Sequence, residues 1–541
     1  MTSSPTRMSV REDMGMNVGA PVWPVSSSRE SASAAGWQCA KLGGFRKLLP
    51  RGDVPFSWIN PLPLWRSRND KLARWFGDPT NDMRREWIRR LGGPRQDFTI
   101  SDYADRSEIS LIVIGDTGEG DGSQYAVVPG LLKEGGASDF MFIISDVIYP
   151  AGGIDDYENK FYRPYKDYPQ PIYAIPGNHD WYDDLTGFMF HFCGRDDPAP
   201  AVAGPGSGWK RFLRELFWRR APKGDPKAIA RMQAMRSLPS QQARQPGPYM
   251  AIDAGPVVLV GIDTGVTGEI DRDQGEWLRS ISRRNKKPKI LLTGKPLRVN
   301  GELHAGQIEA GGTVDEIVQE AEHNYIAAIG GDVHNYQRYP VTLADGRTIQ
   351  YIVSGGGGAF MNETHNIPNI DASDLEGVRE ADFRCYPLRG DSLSIFSRNY
   401  GRLLSFGRIG HWLAFGRLLL RFWFISPDQA AAIIAERLGL SPTRASGTPT
   451  YITARARLVA SWLIQLPGQV HGLLQPLYSE LLDWNDPPMF KNFLRLDASA
   501  EEITITCFAA TGCLAQEERP PVEDRVHCVR SADGDWSWQT H

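Results

Sequence analysis

Seven short apolar runs, each stopped by a polar or glycine-rich loop, constrain this chain more than any other feature of it. They are residues 111–114, 140–144, 171–175, 257–260, 290–292, 326–329 and 351–353. Runs this short, bounded by turn residues, read as buried strands rather than helices. Helical patterns lie between some of them: in 273–284, Trp277, Leu278 and Ile281 fall on one face. That alternation predicts an α/β or α+β core of roughly 260 residues. Upstream, one helix is expected at 82–91, started by Asn81 and Asp82 and stopped by Gly92-Gly93. Downstream, 490–496 and 502–507 read as two final strands.

A core of that size leaves about half of the 541 residues for other units. The first 35 residues are rich in Ser, Pro, Gly and Ala and are expected to be disordered. The organisation read from the sequence is an N-terminal extension (1–107), a core (108–370), a mostly helical insertion (371–485), and C-terminal strands with a tail (486–541). The formal charge of −4 argues against a chain built for nucleic acid. No charge-free apolar run reaches the length of a membrane span, and the N-terminus lacks the pattern of a signal peptide. Six cysteines (Cys39, Cys193, Cys385, Cys507, Cys513, Cys528) make no Cys-x-x-Cys pair, so reduced thiols and a cytoplasmic location are expected.

Two segments break the alternation. Residues 203–247 carry ten Lys or Arg against Glu215 and Asp225, and 396–426 carries five Arg among Trp, Phe and Leu with no acid. The second suits either a helical hairpin packed on the core or a helix lying in an anionic headgroup layer, so peripheral membrane contact is a candidate partnership.

Chemistry is expected where the strands end. Run 111–114 leads to Gly115-Asp116-Thr117-Gly118, and 140–144 to Ser145-Asp146-Val147-Ile148-Tyr149. Run 171–175 leads to Gly177-Asn178-His179-Asp180, and 326–329 to Gly331-Asp332-Val333-His334. Strand ends are where α/β sheets bind ligands, and oxygen donors with imidazole suit a divalent or trivalent metal. A strand-end Asp alone is usually a turn or cap. The four loops in this order say more. They resemble the calcineurin-like metallophosphoesterases, and most closely the branch that includes purple acid phosphatases. The following Asn335-Tyr336-Gln337-Arg338 and the Asp273-Gln274-x-x-Trp277-Leu278 helix are also similar to that family.

The resemblance covers about 108–360. It implies a four-layer α/β/β/α sandwich and a phosphoesterase that hydrolyses phosphate mono- or diesters with a metal-activated hydroxide. It implies that Asp116, Asp146, Tyr149 and His334 hold a first metal, that Asp146 bridges to a second, and that Asn178 holds the second. His179 falls on the position that assists the leaving group, with Asp180 orienting it or a neighbouring group. Two positions depart from the family pattern. Gly294, in Thr293-Gly294-Lys295-Pro296, stands where a His is usual, and Asp332 stands for the first His of Gly-His-x-His. The second site is thus left with oxygen donors (Asp146, Asn178, Asp332), which favours Mg or Mn over Zn. Alternatively the Lys295 ammonium takes that metal's place, giving one metal per chain instead of two. The ions implied are divalent or trivalent, one or two per chain, from among Mn, Fe, Mg and Zn.

Softer candidates are Arg338 for substrate phosphate, the Gly355–Gly358 run for phosphate or for a tight turn, and His365; Asp263 also ends a strand, but no partner in the sequence points to it. Two rival functions stand beside the enzyme: a catalytically reduced family member that binds metal or phosphate, and a membrane-surface scaffold.

Overall fold

The computed structural model describes residues 39–50, 75, 77–93, 97–200, 202, 208–209, 212–213, 224–404, 421–439, 451–465 and 487–539. The N-terminal 35 residues, much of 203–223, the middle of 396–426 and the end of 454–482 lie outside them.

Seventeen strands are described: β1 (Thr99–Ile100), β2 (Glu108–Ile114), β3 (Phe140–Ile143), β4 (Ile172–Ala174), β5 (Met250–Ala254), β6 (Val257–Ile262), β7 (Lys289–Thr293), β8 (Arg298–Val299), β9 (Glu302–Leu303), β10 (Tyr325–Gly330), β11 (Tyr336–Thr342), β12 (Thr348–Ser354), β13 (Arg384–Tyr386), β14 (Lys491–Ser499), β15 (Glu502–Ala510), β16 (Val522–Arg530) and β17 (Trp536–Trp538). They form an eight-stranded sheet in the order β1-β5-β6-β7-β10-β12-β11-β13, a seven-stranded sheet in the order β17-β16-β15-β14-β2-β3-β4, and the small hairpin β8-β9. The parallel trios β2-β3-β4 and β6-β7-β10 lie at the centre of the matter, because the candidate loops follow their ends.

Alternation along the strands makes the layers. Leu111, Val113, Phe140 and Phe142 point inward to meet Ile252, Leu259, Ile290 and Leu292 of the other sheet in one continuous core. Their neighbours Ile112, Ile114, Met141 and Ile143 face the other way, onto helix Gly122–Gly135 through Val127 and Leu131. On the far side, Val258, Val260 and Leu291 meet Trp277, Leu278 and Ile281 of helix Arg272–Arg283. Period-two burial on both faces requires cover on both faces, and the outcome is the α/β/β/α sandwich.

The predicted helix at 82–91 is Thr80–Arg90, and Asp78 rather than Asn81 starts it by accepting from the Thr80 backbone N–H at 2.9 Å. The segment 371–485 is joined to the core more closely than its composition suggests. It supplies β13 to the larger sheet, and Phe396, Ile425, Ile434, Val459 and Leu463 enter the inter-sheet core. Described residues of the two basic segments turn to protein partners. In the first, Arg231 bonds Glu158 and Arg236 is buried against the carbonyls of Tyr165, Tyr168 and Gln170; in the second, the Phe424 carbonyl accepts from Arg455, outside the segment, at 2.8 Å. No helix among the described residues is long and apolar enough to cross a membrane.

The expectation of uniformly reduced thiols needs correction. Cys39 and Cys513 form a disulfide across 474 residues of sequence, while Cys193, Cys385, Cys507 and Cys528 are free. Such a bond fits an oxidising compartment better than a reducing one.

Candidate metal centre

Three loops of the smaller sheet and one of the larger converge at one end of the sandwich. Their approach depends on glycine. A Cβ on Gly177 would sit 2.1 Å from Asp146 Oδ1, and one on Gly331 would sit 2.3 Å from Ser145 Cβ and 2.7 Å from Asp116 Oδ2. Asp116 itself adopts a left-handed backbone (φ 56°), as does Asp332 (φ 64°), which small polar residues tolerate better than branched ones.

Asp116 is fully buried. Its Oδ2 accepts from the Asp332 backbone N–H at 2.8 Å, and its Oδ1 lies 3.2 Å from the Tyr149 hydroxyl. The same hydroxyl lies 3.1 Å from His334 Nε2 and also hydrogen-bonds the Asp146 carboxylate. Asp146 Oδ1 accepts from the His179 backbone N–H at 2.8 Å. Burial, reinforced by Asp146 and Asp332, pushes the Asp116 carboxyl well above its ordinary pKa. Burial also raises the Asp146 carboxyl, with His179 opposing the effect and Asp332 adding to it.

His334 sets the donor logic. Its Nδ1 lies 2.7 Å from the Phe360 carbonyl, which only accepts, so Nδ1 carries the proton and Nε2 presents a lone pair. Burial, then the Lys491 ammonium, pulls its pKa down to about 3, so the ring is neutral. Tyr149 has one proton for an imidazole lone pair and two carboxylates. With both carboxyls ionised, at least two of these contacts oppose lone pairs among buried side chains. A cation among Asp116, Asp146, Tyr149 and His334 resolves the conflict, and carboxylate, phenol and imidazole donors suit a divalent or trivalent ion. The donor set fits the metal.

Asn178 and His179 stand at the rim. The Asn178 amide nitrogen donates to the Tyr182 hydroxyl at 3.1 Å, which leaves its carbonyl oxygen as the donor for a cation. His179 Nδ1 donates to the Pro150 carbonyl at 2.7 Å, so Nε2 is the nitrogen available for proton exchange, and the ring packs 4.5 Å from that of Tyr149. Lys295 Nζ lies 3.2 Å from Asp332 Oδ1, so the residue after Gly294 is joined to the other position that departs from the family pattern. A Cβ at Gly294 would meet Thr264 Oγ1 at 2.7 Å, so Thr264 fills the space a side chain there would need.

Two expected site residues lie elsewhere in the bonding. Of the two roles expected of Asp180 it takes the second: the Pro150 carbonyl orients His179, and Asp180 holds neighbouring groups. Its Oδ2 accepts from the backbone N–H groups of Val147 and Gly177, each at 3.0 Å, and so fastens the second loop to the third. Arg338 is buried four residues along β11 from the site, and its Nε donates to Asp524 Oδ2 at 2.5 Å and its Nη1 to Gln350 at 3.2 Å. It ties the larger sheet to β16. The glycine run after β12 backs the first loop: a Cβ on Gly355 would sit 2.5 Å from Asp116 Oδ2, and the Ala359 N–H donates to the Asp116 carbonyl at 2.9 Å. His365 bonds Ser392 in the insertion at 2.9 Å. Asp263 is held by Arg84 at 2.8 Å and by the Trp181 indole N–H at 2.9 Å.

Sequence reasoning missed two buried amines behind the site. Lys160 Nζ donates to the Tyr149 carbonyl at 2.6 Å, and Lys491 Nζ donates to the Ala359 carbonyl. Burial lowers both, Lys491 to about 8. Neither stands near a motif in sequence, so no local signal marked them.

Residues 109–336 match the family model for calcineurin-like phosphoesterases. No curated protein matches the chain significantly. Among solved structures, it is similar to purple acid phosphatase PPD1 from yellow lupin (Lupinus luteus) seeds, at 12% identity and a TM-score of 0.37, over 80% of this chain and 55% of that one. The chain thus spans about half the length of the lupin protein. It is also similar to PhoD (9% identity, TM-score 0.35, 81% of this chain and 72% of that one). A third is GAP50, the anchor in the inner membrane complex of Plasmodium (11%, TM-score 0.30, 52% and 81%). The matched segment contains all four loops in the order in which they meet at the site, and over that segment the chain is similar to the calcineurin-like phosphoesterases.

Proposed function

We propose that the chain is a metal-dependent hydrolase of phosphate mono- or diesters, with its centre at Asp116, Asp146, Tyr149 and His334. One observation carries the reading: a single tyrosine hydroxyl shared by an imidazole lone pair and two buried carboxylates, an arrangement that needs a cation. A metal ion held there supplies Lewis-acid charge to a phosphate oxygen and makes a water nucleophilic near neutral pH. The chain's own residues do the rest. Asp116 and Asp146 fix where the charge sits, and Asn178 offers a neutral oxygen toward the substrate side. His179, with Nδ1 committed to the Pro150 carbonyl, carries the exchangeable proton on Nε2 and delivers it to the departing alkoxide.

The test is turnover of a chromogenic phosphate ester by metal-loaded protein, with metal content measured on the same sample. Absence of turnover with Mn²⁺, Mg²⁺, Fe and Zn²⁺ alike, in protein that holds metal, overturns it. That result would favour the catalytically reduced reading, which the Lys295–Asp332 pair supports by filling the side of the centre where the usual imidazoles are missing.

A further inference from the structure

A cavity of about 410 Å³ opens beside the centre. Lys295 and Asp332 form its inner end, and the Asp332 backbone N–H is itself bonded to Asp116, so the cavity begins one residue from a proposed metal ligand. Away from that end the wall is mixed: Leu297, Val299, Leu303 and Val314 give it an apolar side, and Thr267, Glu269, His304 and Gln307 a polar one. The wall is built rather than incidental. The His304 N–H donates to the Leu297 carbonyl at 2.8 Å, the Val314 N–H to the Gly306 carbonyl at 2.8 Å, and β8 pairs with β9. Leu303, at the end of that hairpin, is 49% exposed. At the inner end, Thr264 Oγ1 accepts from the Lys295 N–H at 3.1 Å, and a Cβ on Gly268 would sit 3.2 Å from Lys295 Cδ, so the lysine stem is confined against a glycine.

The cavity therefore runs from the Lys295–Asp332 ion pair next to the centre to a wall with an apolar side and an exposed leucine at its rim. From this we infer that it receives the alcohol half of the substrate: an ester whose leaving group is an organic body of at least ring size with an apolar face, rather than a small or highly charged one. Lys295 faces the phosphate, and the wall formed by β8-β9 and Val314 takes the ring. This inference rests on the phosphoesterase reading and adds a substrate class to it.

Phosphonates separate the two, because their carbon–phosphorus bond is not hydrolysed. Calorimetric titration of the full, Mn²⁺-loaded chain with phenylphosphonate and methylphosphonate should show the phenyl compound bound about tenfold more tightly, as burial of one ring face implies. Ala305→Trp fills the cavity from its half-buried edge, and Leu303→Ser removes the apolar rim from an exposed position. In each the ratio should fall toward one. Equal binding of the two phosphonates by the native chain overturns the subsite while leaving the phosphoesterase reading in place. An unchanged ratio in both folded variants does the same. Binding of neither phosphonate, with no ester turnover, overturns both.

Discussion

Replacing Arg84 with Met should destabilise the protein more than any exposed charge change, although Arg84 lies outside the matched segment. Its side chain is fully buried and spans two carboxylates that are also buried: Nε lies 2.8 Å from Asp263 and Nη1 lies 3.0 Å from Asp271. Methionine fills a similar volume but strands two negative charges in a low-dielectric interior. Breaking a buried pair from one side costs about 3–5 kcal/mol, and two orphaned partners put this case at the upper end. The control is Arg283→Met, which removes a 3.2 Å pair with Glu322 in which both side chains are 57% exposed, and which should cost less than about 1 kcal/mol. Urea unfolding followed by tryptophan fluorescence reads both. Asp263→Asn in the Arg84→Met background should recover at least about 1 kcal/mol, because Asn keeps an oxygen for the Trp181 indole and the Gly265 N–H while removing the stranded charge. A loss in Arg84→Met no larger than in Arg283→Met would refute the argument. So would a double variant no more stable than the single one.

Three further outcomes follow from the centre and its surroundings. Asp146→Ala should abolish ester turnover and lower metal content together, whereas loss of activity with full metal content would deny it a ligand role. His179→Ala should lower kcat by about 10²–10⁴-fold with metal content intact; metal loss on that change would remove the proton-delivery assignment. His191, whose ring nitrogens meet the Tyr162 hydroxyl and the Ile154 carbonyl, is pushed down by burial to about 4. The unfolded chain then takes up the proton first, so stability is full above about pH 6.5 and is lost as pH falls toward 4, by less than about 3 kcal/mol for a half-buried ring. His191→Phe should flatten the urea midpoint over that window.

What the sequence revealed was local, and what it concealed was long-range. Strands announce themselves by three or four apolar residues and a turn, and the four loops by polar residues within five positions of a strand end, so the central strands and the loops after them were legible, while β1, β5, β11, β13, β16 and β17 were not. Arg338 looked like a substrate contact because its partner was out of sight. Asp524 lies 186 residues later on β16, whose sequence Val-Glu-Asp-Arg-Val-His-Cys-Val-Arg is too charged to read as a strand. Cys39 and Cys513 were dismissed for want of a motif, though a disulfide needs proximity and not spacing. Asp263 seemed partnerless because Arg84 sits in the extension, 179 residues earlier. Each miss is a pair whose members carry no mark of one another.

The charge at the centre leads to one more expectation, about metal count. Asp116 and Asp146 present two negative charges to a first ion, which a divalent metal balances. Asp332 is a third carboxylate, and the Lys295 ammonium at 3.2 Å already balances it. A second divalent ion placed about 4 Å from that ammonium would meet a repulsion of about 8 kcal/mol at an effective dielectric constant near 20, with no second imidazole to offset it. Lysine and second metal are therefore alternatives. The native chain should hold one tightly bound metal ion, counted by elemental analysis after gel filtration. Lys295→Met removes the competing charge and releases Asp332, so in excess Mn²⁺ the variant should take up a second ion, held by oxygen donors from Asp146, Asn178 and Asp332. Its activity at one metal per chain should collapse and then return in part as the second ion binds. Two tightly held ions in the native chain would show that ammonium and metal coexist. A variant that never exceeds one ion would show that Lys295 is not what keeps the second away.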